Sequence, residues 1–234
     1  MIDLSNVTLF TVMGNPKPSE KENNNIINRI INASCSKIKF GSTKVVSAQK
    51  DLFFDMDVEV TYVDGFDLRG YNKFMIQDLN SFVDTDFVLT FQNDGFILNP
   101  DKWSPKFLDY DWVGAPWPNN INSRVGNGGF SLRSKKMLEF CENMEYVDNI
   151  GLNPNSNCTP EDHLICRENY NKCLEAGLKF APISLAKKFS YEMPIDDDQT
   201  FNPLNTFGFH GVFQSGLEKD PFRILIKKLF FDQL

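Results

Sequence analysis

The sequence predicts a single α/β domain, with helices flanking a mostly parallel central sheet. Three observations carry that expectation. Short β-branched apolar runs alternate with amphipathic helical stretches, the signature of βαβ units. Apolar residues make up 41% of the 234 residues, enough for a sizeable core. The chain shows no internal repeat and no linker-like stretch that would divide it.

The elements follow in order. Asn6 to Met13 reads as a buried strand stopped at Gly14-Asn15-Pro16. Ser19 or Glu20 opens a helix with Ile26, Ile27, Ile30 and Ile31 on one face. Lys44 to Ser47 forms a second strand, and Val58 to Val63 alternates with period two as a third. A helix is expected from about Tyr71 to Phe82, turning Phe74, Met75, Leu79 and Phe82 inward, and Phe87 to Gln92 follows as a fourth strand. Beyond Pro100, Trp112 to Ala115 and Gly129 to Arg133 read as short strands, and Ser134 caps a helix burying Met137, Leu138 and Cys141. Pro160 starts a further helix running toward Tyr170, with Glu161 and Asp162 in its first turn. Lys179 to Ala181 reads as a last short strand, with polar loops at 149–160 and 192–204.

Composition narrows the function classes. The net charge is -7, which disfavours a broad nucleic-acid footprint. No apolar run reaches the length of a membrane span, and residues 1–5 lack a basic region followed by an apolar stretch, so no secretory signal is expected. Five cysteines without a C-x-x-C pair argue for reduced thiols in a cytoplasmic setting, against a disulfide framework or a structural zinc site. The 22 Phe residues are assigned chiefly to core packing.

Four constellations carry chemistry. In Gln92-Asn93-Asp94-Gly95-Phe96, a buried strand delivers a carboxylate to the sheet edge, where ligands bind in such folds. Asp94 there can hold a divalent cation against a diphosphate; the same residues also serve as a simple Asp-Gly turn. In Arg124 to Arg133, Gly126, Gly128 and Gly129 let backbone approach a ligand, and Arg124 and Arg133 flank them as candidate phosphate contacts; a plain glycine hairpin is the alternative. Glu161-Asp162 places two acids at a helix N-terminus, where one can act as general base or both can simply cap the helix. His210, within Phe207-Gly208-Phe209-His210-Gly211, is a candidate metal ligand or a packed core histidine. With two histidines in the chain, any metal site is mostly oxygen, which favours Mn or Mg over Zn.

Taken in order, these pieces resemble a family of GT-A-like glycosyltransferases, described mainly as a domain of unknown function and found in bacteria, viruses and some eukaryotes. The resemblance runs from Val7 to Gly211. It rests on Tyr71 to Met75, Thr85 to Leu89, Gln92 to Pro100, Phe107 to Trp117 with its Gly-Ala-Pro-Trp, Val125 to Arg133, Glu161-Asp162, Phe180 to Pro182 and Phe207 to Gly211. It implies a GT-A-like fold with a nucleotide-binding half at about 1–100, an acceptor and catalytic half at about 101–215, and a C-terminal helix at 216–234. It further implies a nucleotide-sugar donor, a UDP- or GDP-sugar, and a glycan or small hydroxyl acceptor. Asn93, Asp94, Gly95, Arg124, Asn127, Gly128, Gly129 and Arg133 would meet the donor, and Trp117 the acceptor. Asp162 or Glu161 would be the base, and Asp94 with His210 would hold Mn or Mg. The Asp-x-Asp motif of such enzymes reads Gln92-Asn93-Asp94 here, keeping only its second acid. Glycosylation of a nucleic-acid base, glycoside hydrolysis and sugar binding without turnover remain alternatives.

Overall fold

The structure, a computed structural model, describes residues 1–14, 20–50, 52–118, 125–148, 158–195, 201–212 and 219–230. Its centre is a six-stranded sheet. β1 (Ile2–Met13) pairs in parallel with β2 (Ile38–Ser47) on one side and β4 (Phe87–Phe91) on the other, and β3 (Glu59–Tyr62) extends the parallel part beyond β2. β7 (Phe130–Ser134) joins β4 antiparallel, and β6 (Trp112–Gly114) closes the edge, giving the order β3-β2-β1-β4-β7-β6.

Both faces of this sheet are covered, and successive residues divide between them. Leu9, Val45 and Leu89 enter one apolar cluster, while Phe10, Val46 and Val88 enter the other. That is why these strands read as continuous apolar runs. α1 (Glu20–Cys35) covers the first face with Ile26, Ile27, Ile30 and Ile31. The second face meets a helical run that starts at α2 (Leu68–Lys73), where Asp67 accepts a hydrogen bond from the Gly70 N–H at 2.9 Å. The run continues through a π turn, Phe74–Asp78, and a 3-10 turn, Leu79–Phe82. Phe74, Met75 and Leu79 are buried as expected, but the run begins earlier than Tyr71 and is not one regular helix.

α3 (Lys135–Glu142) has the expected cap, Ser134 accepting from the Met137 N–H at 3.0 Å, and buries Met137, Leu138 and Cys141. α4 (Glu161–His163) continues through a π turn, Leu164–Glu168, and is followed by α5 (Tyr170–Glu175). Four phenylalanines, Phe107, Phe130, Phe189 and Phe207, are fully buried and pack mutually; the Phe107 and Phe189 rings meet edge to face at 5.1 Å.

The structure departs from the sequence reading at two places. Lys179 to Ala181 forms no strand; only Phe180 bridges, to Trp112. A second, three-stranded sheet had no counterpart in the sequence reading. It consists of β5 (Phe96–Ile97), β9 (Gly208–Phe209) and β8 (Ser190–Tyr191), with α6 (Ile183–Phe189) leading into β8. Two-residue strands have no periodicity to read, so only pairing defines them. The large sheet draws strands from both halves of the single expected domain. α7 (Pro221–Phe230) lies inside the expected C-terminal helix. Within the expected loops, residues 149–157 and 196–200 fall outside the described residues, and 203–205 form a 3-10 turn. No helix among the described residues is long and apolar enough to cross a membrane.

Candidate active site

The site forms where β1 and β4 end. Leaving β4, the chain turns through Gln92-Asn93-Asp94-Gly95, with the Gly95 N–H donating to Gln92 O at 3.0 Å and the Gln92 N–H donating to Gly129 O at 2.9 Å. The Asp94 side chain is 17% exposed, so it reaches solvent from a packed base.

β9 brings His210 to the same point. Its Nε2 lies 3.4 Å from Asp94 Oδ1 and 3.2 Å from Gln92 Oε1, while its Nδ1 lies 3.4 Å from Glu192 Oε1. Burial disfavours the imidazolium, but Asp94 and Glu192 outweigh it and push the His210 pKa up to about 10. Burial likewise raises Asp94, yet the His210 charge and hydrogen bond leave its pKa below the usual carboxylate value. Gly211 follows at φ 84, a left-handed conformation natural to glycine, and its N–H donates to Asp94 O at 3.0 Å. Arg223 of α7 braces this corner through Gly211 O at 2.8 Å and Glu192 O.

Gln92 Oε1, Asp94 Oδ1 and His210 Nε2 thus gather around one point. Among the described residues, no three His, Cys, Asp or Glu side chains are arranged to hold a metal ion. A hard divalent cation needs less than that, because such sites complete themselves with one or two carboxylates, water and substrate phosphates. Asp94, Gln92 and His210, the last only with loss of its proton, could offer such a cation one carboxylate, one amide oxygen and one imidazole.

Beside this cluster lies a cavity of about 320 Å³ at the carboxyl ends of the strands. Its walls include Val12, Met13 and Gly14 from the end of β1, Phe66 and Asp67 before α2, and Tyr71, Gln92 and Asn93. Tyr71 accepts a hydrogen bond from Gln92 Nε2 at 2.9 Å, and burial with the nearby Glu161 charge raises its pKa.

The glycine run serves packing. A Cβ on Gly126 would lie 2.4 Å from Trp117 Cη2, one on Gly128 2.4 Å from Glu161 Oε1, and one on Gly129 1.9 Å from His210 Nε2. The side chains of the site therefore occupy the space beside these glycines. The Gly128 N–H, expected to face an anion, donates to Asp162 Oδ2 at 3.0 Å. Gly128→Ala is expected to push Glu161 aside and destabilise the protein by about 1–3 kcal/mol. Urea unfolding checks this, and an unchanged midpoint would contradict it.

The two acids part company. Glu161 is 4% exposed and its Oε1 takes the Arg133 Nη2 at 3.0 Å. Arg133 is fully buried, stacked 4.2 Å over Trp112, with Nε donating to Ser131 Oγ at 3.0 Å. Its expected role at donor phosphates does not fit this placement, because a completely buried guanidinium committed to Glu161 has no approach to a ligand. Asp162 is only half-buried and accepts from the backbone N–H groups of Gly128 and His163, at 3.0 and 2.8 Å. Burial pushes both carboxyls up, so the helix terminus does not simply hold them ionised as the sequence suggested.

Asn93, Asp94 and Gly95 stand at the cavity and cluster, with Gly95 tight against Gly129 O and His210. Asn127 is 5% exposed and its Oδ1 has no hydrogen-bond partner. Trp117 is 5% exposed, packed between Gly126, His163 and Arg167. Arg124 lies outside the described residues. Gln92, Glu192, Tyr71, Arg167 and Arg223 were missed as partners. Gln92 and Tyr71 stand within the stretches that carry the resemblance, Gln92 where the first acid of Asp-x-Asp would be; Glu192, Arg167 and Arg223 carry no local signal.

Residues 56–210 match the profile of a family described as protein of unknown function (DUF5672). No curated protein matches the chain. Among solved structures, a glycosyltransferase involved in glycosylating the major capsid of PBCV-1 is similar at TM-score 0.50 and 10% identity, covering 94% of this chain and 98% of that one. The galactosyltransferase LgtC, solved with donor and acceptor sugar analogs, is similar at TM-score 0.48 and 12% identity, over 87% of this chain and 86% of that one. The architecture, a single α/β domain with a mainly parallel sheet flanked by helices, is thus that of a GT-A glycosyltransferase.

Proposed function

The chain belongs to the DUF5672 family, and from that premise we propose that it is a glycosyltransferase moving a sugar from a UDP- or GDP-sugar to a hydroxyl of a glycan or small acceptor. One observation carries the reading. The cavity at the ends of β1 and β4 is lined by Gln92 and Asn93, and Gln92 in turn meets His210, which faces Asp94; these are the groups that would meet a diphosphate. The nucleoside would fill the cavity between Phe66 and Asn93, leaving its phosphates toward Asp94.

Mn or Mg held by Asp94, His210 and Gln92 would neutralise charge on the departing diphosphate. The residues of the chain do the rest. Glu192 and Asp94 hold the imidazole of His210 in place from its two nitrogens. Asp162, with a pKa raised by burial, takes the proton of the acceptor hydroxyl; a base poised nearer the working pH transfers protons best. Glu161 keeps Arg133 and the helix start in register and does not meet substrate.

Sugar nucleotides are expected to stabilise the protein. At a hundredfold excess over Kd the gain is about 2.7 kcal/mol, or about 5–10 °C in Tm. A thermal-shift screen of UDP-, GDP-, CMP- and dTDP-sugars, with and without Mn, measures it. No shift with any of them would remove the basis of the reading.

A further inference from the structure

Among the described arginines, Arg167 is the one that combines a contact over a tryptophan ring with a buried Nε lacking a hydrogen-bond partner. Arg133 and Arg167 each hold the guanidinium over a buried tryptophan ring, with Cζ 4.2 Å from the Trp112 centroid and 4.0 Å from that of Trp117. Arg133 spends its donors on Glu161, Ser131 and backbone oxygens. Arg223 spends its own on Gly211, Glu192 and Asp220, and Arg69 pairs with Asp148. Arg167, half-buried, makes no hydrogen bond or ion pair among the described residues, and its Nε is buried without a partner. A guanidinium carries five donors, and partly buried ones ordinarily find acceptors. Stacking on an aromatic face leaves the edge of the fork available for in-plane, bidentate contact with a carboxylate or phosphate.

The neighbours of Arg167 are the Trp117 ring and the Asp162 charge. Along the glycine run, Trp117 packs at Gly126, Asp162 at Gly128 and His210 at Gly129. Asp162 therefore falls between the Asp94–His210 cluster and the Trp117–Arg167 stack, and the run from Gly126 to Gly129 spans at most about 10 Å. His163, four residues before Arg167, meets Trp117 edge-on at 5.2 Å, and its Nδ1 also lacks a partner. Burial and the Arg167 charge lower its pKa to about 4, so it is a neutral hydrogen-bonding group at pH 7.

We propose that Arg167, laid on Trp117 beside Asp162, binds a negatively charged group of the acceptor, so that the acceptor is an acidic sugar carrying a carboxylate or a phosphate. This rests on the glycosyltransferase reading above. The same anionic chemistry is present in the donor diphosphate, and the experiment separates the two sources.

Binding of methyl β-glucoside, methyl β-glucuronide and glucose 6-phosphate is measured by calorimetry on the full chain with UDP or GDP and Mn present. The glucuronide or the phosphate should bind at least about tenfold more tightly than the neutral glucoside, the scale of a charge-assisted bidentate contact. Arg167→Gln should abolish that preference, and Arg167→Lys should keep part of it; nucleotide affinity and Tm should stay as in the unaltered protein. A purely structural arginine would lower Tm and leave the preference unmoved, which overturns the proposal. Acidic sugars binding no better than the glucoside overturns it as well. A loss of UDP or GDP affinity in Arg167→Gln with the acidic preference intact reassigns the residue to the donor. Absence of nucleotide binding in the unaltered protein would instead count against the glycosyltransferase reading itself.

Discussion

Arg133→Met is expected to destabilise the protein by about 3–5 kcal/mol, the usual consequence of removing one partner of a buried ion pair. Glu161 would remain, 4% exposed, with no counter-charge and with Asp162 beside it. The deficit should depend on pH with a definite sign. Without Arg133, burial and the Asp162 charge hold the folded-state pKa of Glu161 above its unfolded value. The folded state then binds more protons, and stability falls as pH rises through that range. The loss should therefore be smaller at pH 5 than at pH 8 in urea unfolding. Pairing the change with Glu161→Leu should restore much of the loss, since apolar replacement of a whole buried pair is often neutral. A modest stability change, with the main loss in nucleotide affinity, would return Arg133 to the donor site.

Asp162→Asn is expected to lower transfer by about 10²–10⁴, the range for a positioned general base. The carboxamide preserves the shape, and its oxygen can still accept from one of the N–H groups of Gly128 and His163. Fold and nucleotide affinity should thus survive while the rate collapses. Turnover of a UDP- or GDP-sugar, followed with nucleotide binding on the same samples, gives both numbers. Retained turnover would move the proton-accepting role elsewhere in the site.

The parallel core was legible because it obeys local rules. Leu9 and Phe10, like Val45 and Val46, read as buried on both faces, and Ser134 announced its helix through its cap. The site was legible only as separate pieces. Asp94, the glycines, Glu161-Asp162 and His210 were all marked, but neither their distances nor their exposure follow from spacing. Glu192 illustrates the limit: nothing near it in sequence distinguishes it, and it matters because α6 and β8 deliver it to the imidazole of His210.

By itself the sequence determined where apolar faces must be covered, where helices start, and which acids and glycines stand at strand ends, because periodicity and capping act within a few residues. Tertiary structure alone decided which charges meet. It buried Arg133 against Glu161, left Asp162 half-buried on the Gly128 and His163 N–H groups, set His210 between Asp94 and Glu192, and laid Arg167 over Trp117. Charge pairing and desolvation depend on distances of a few ångströms between residues far apart in the chain, and only the packed fold sets those distances.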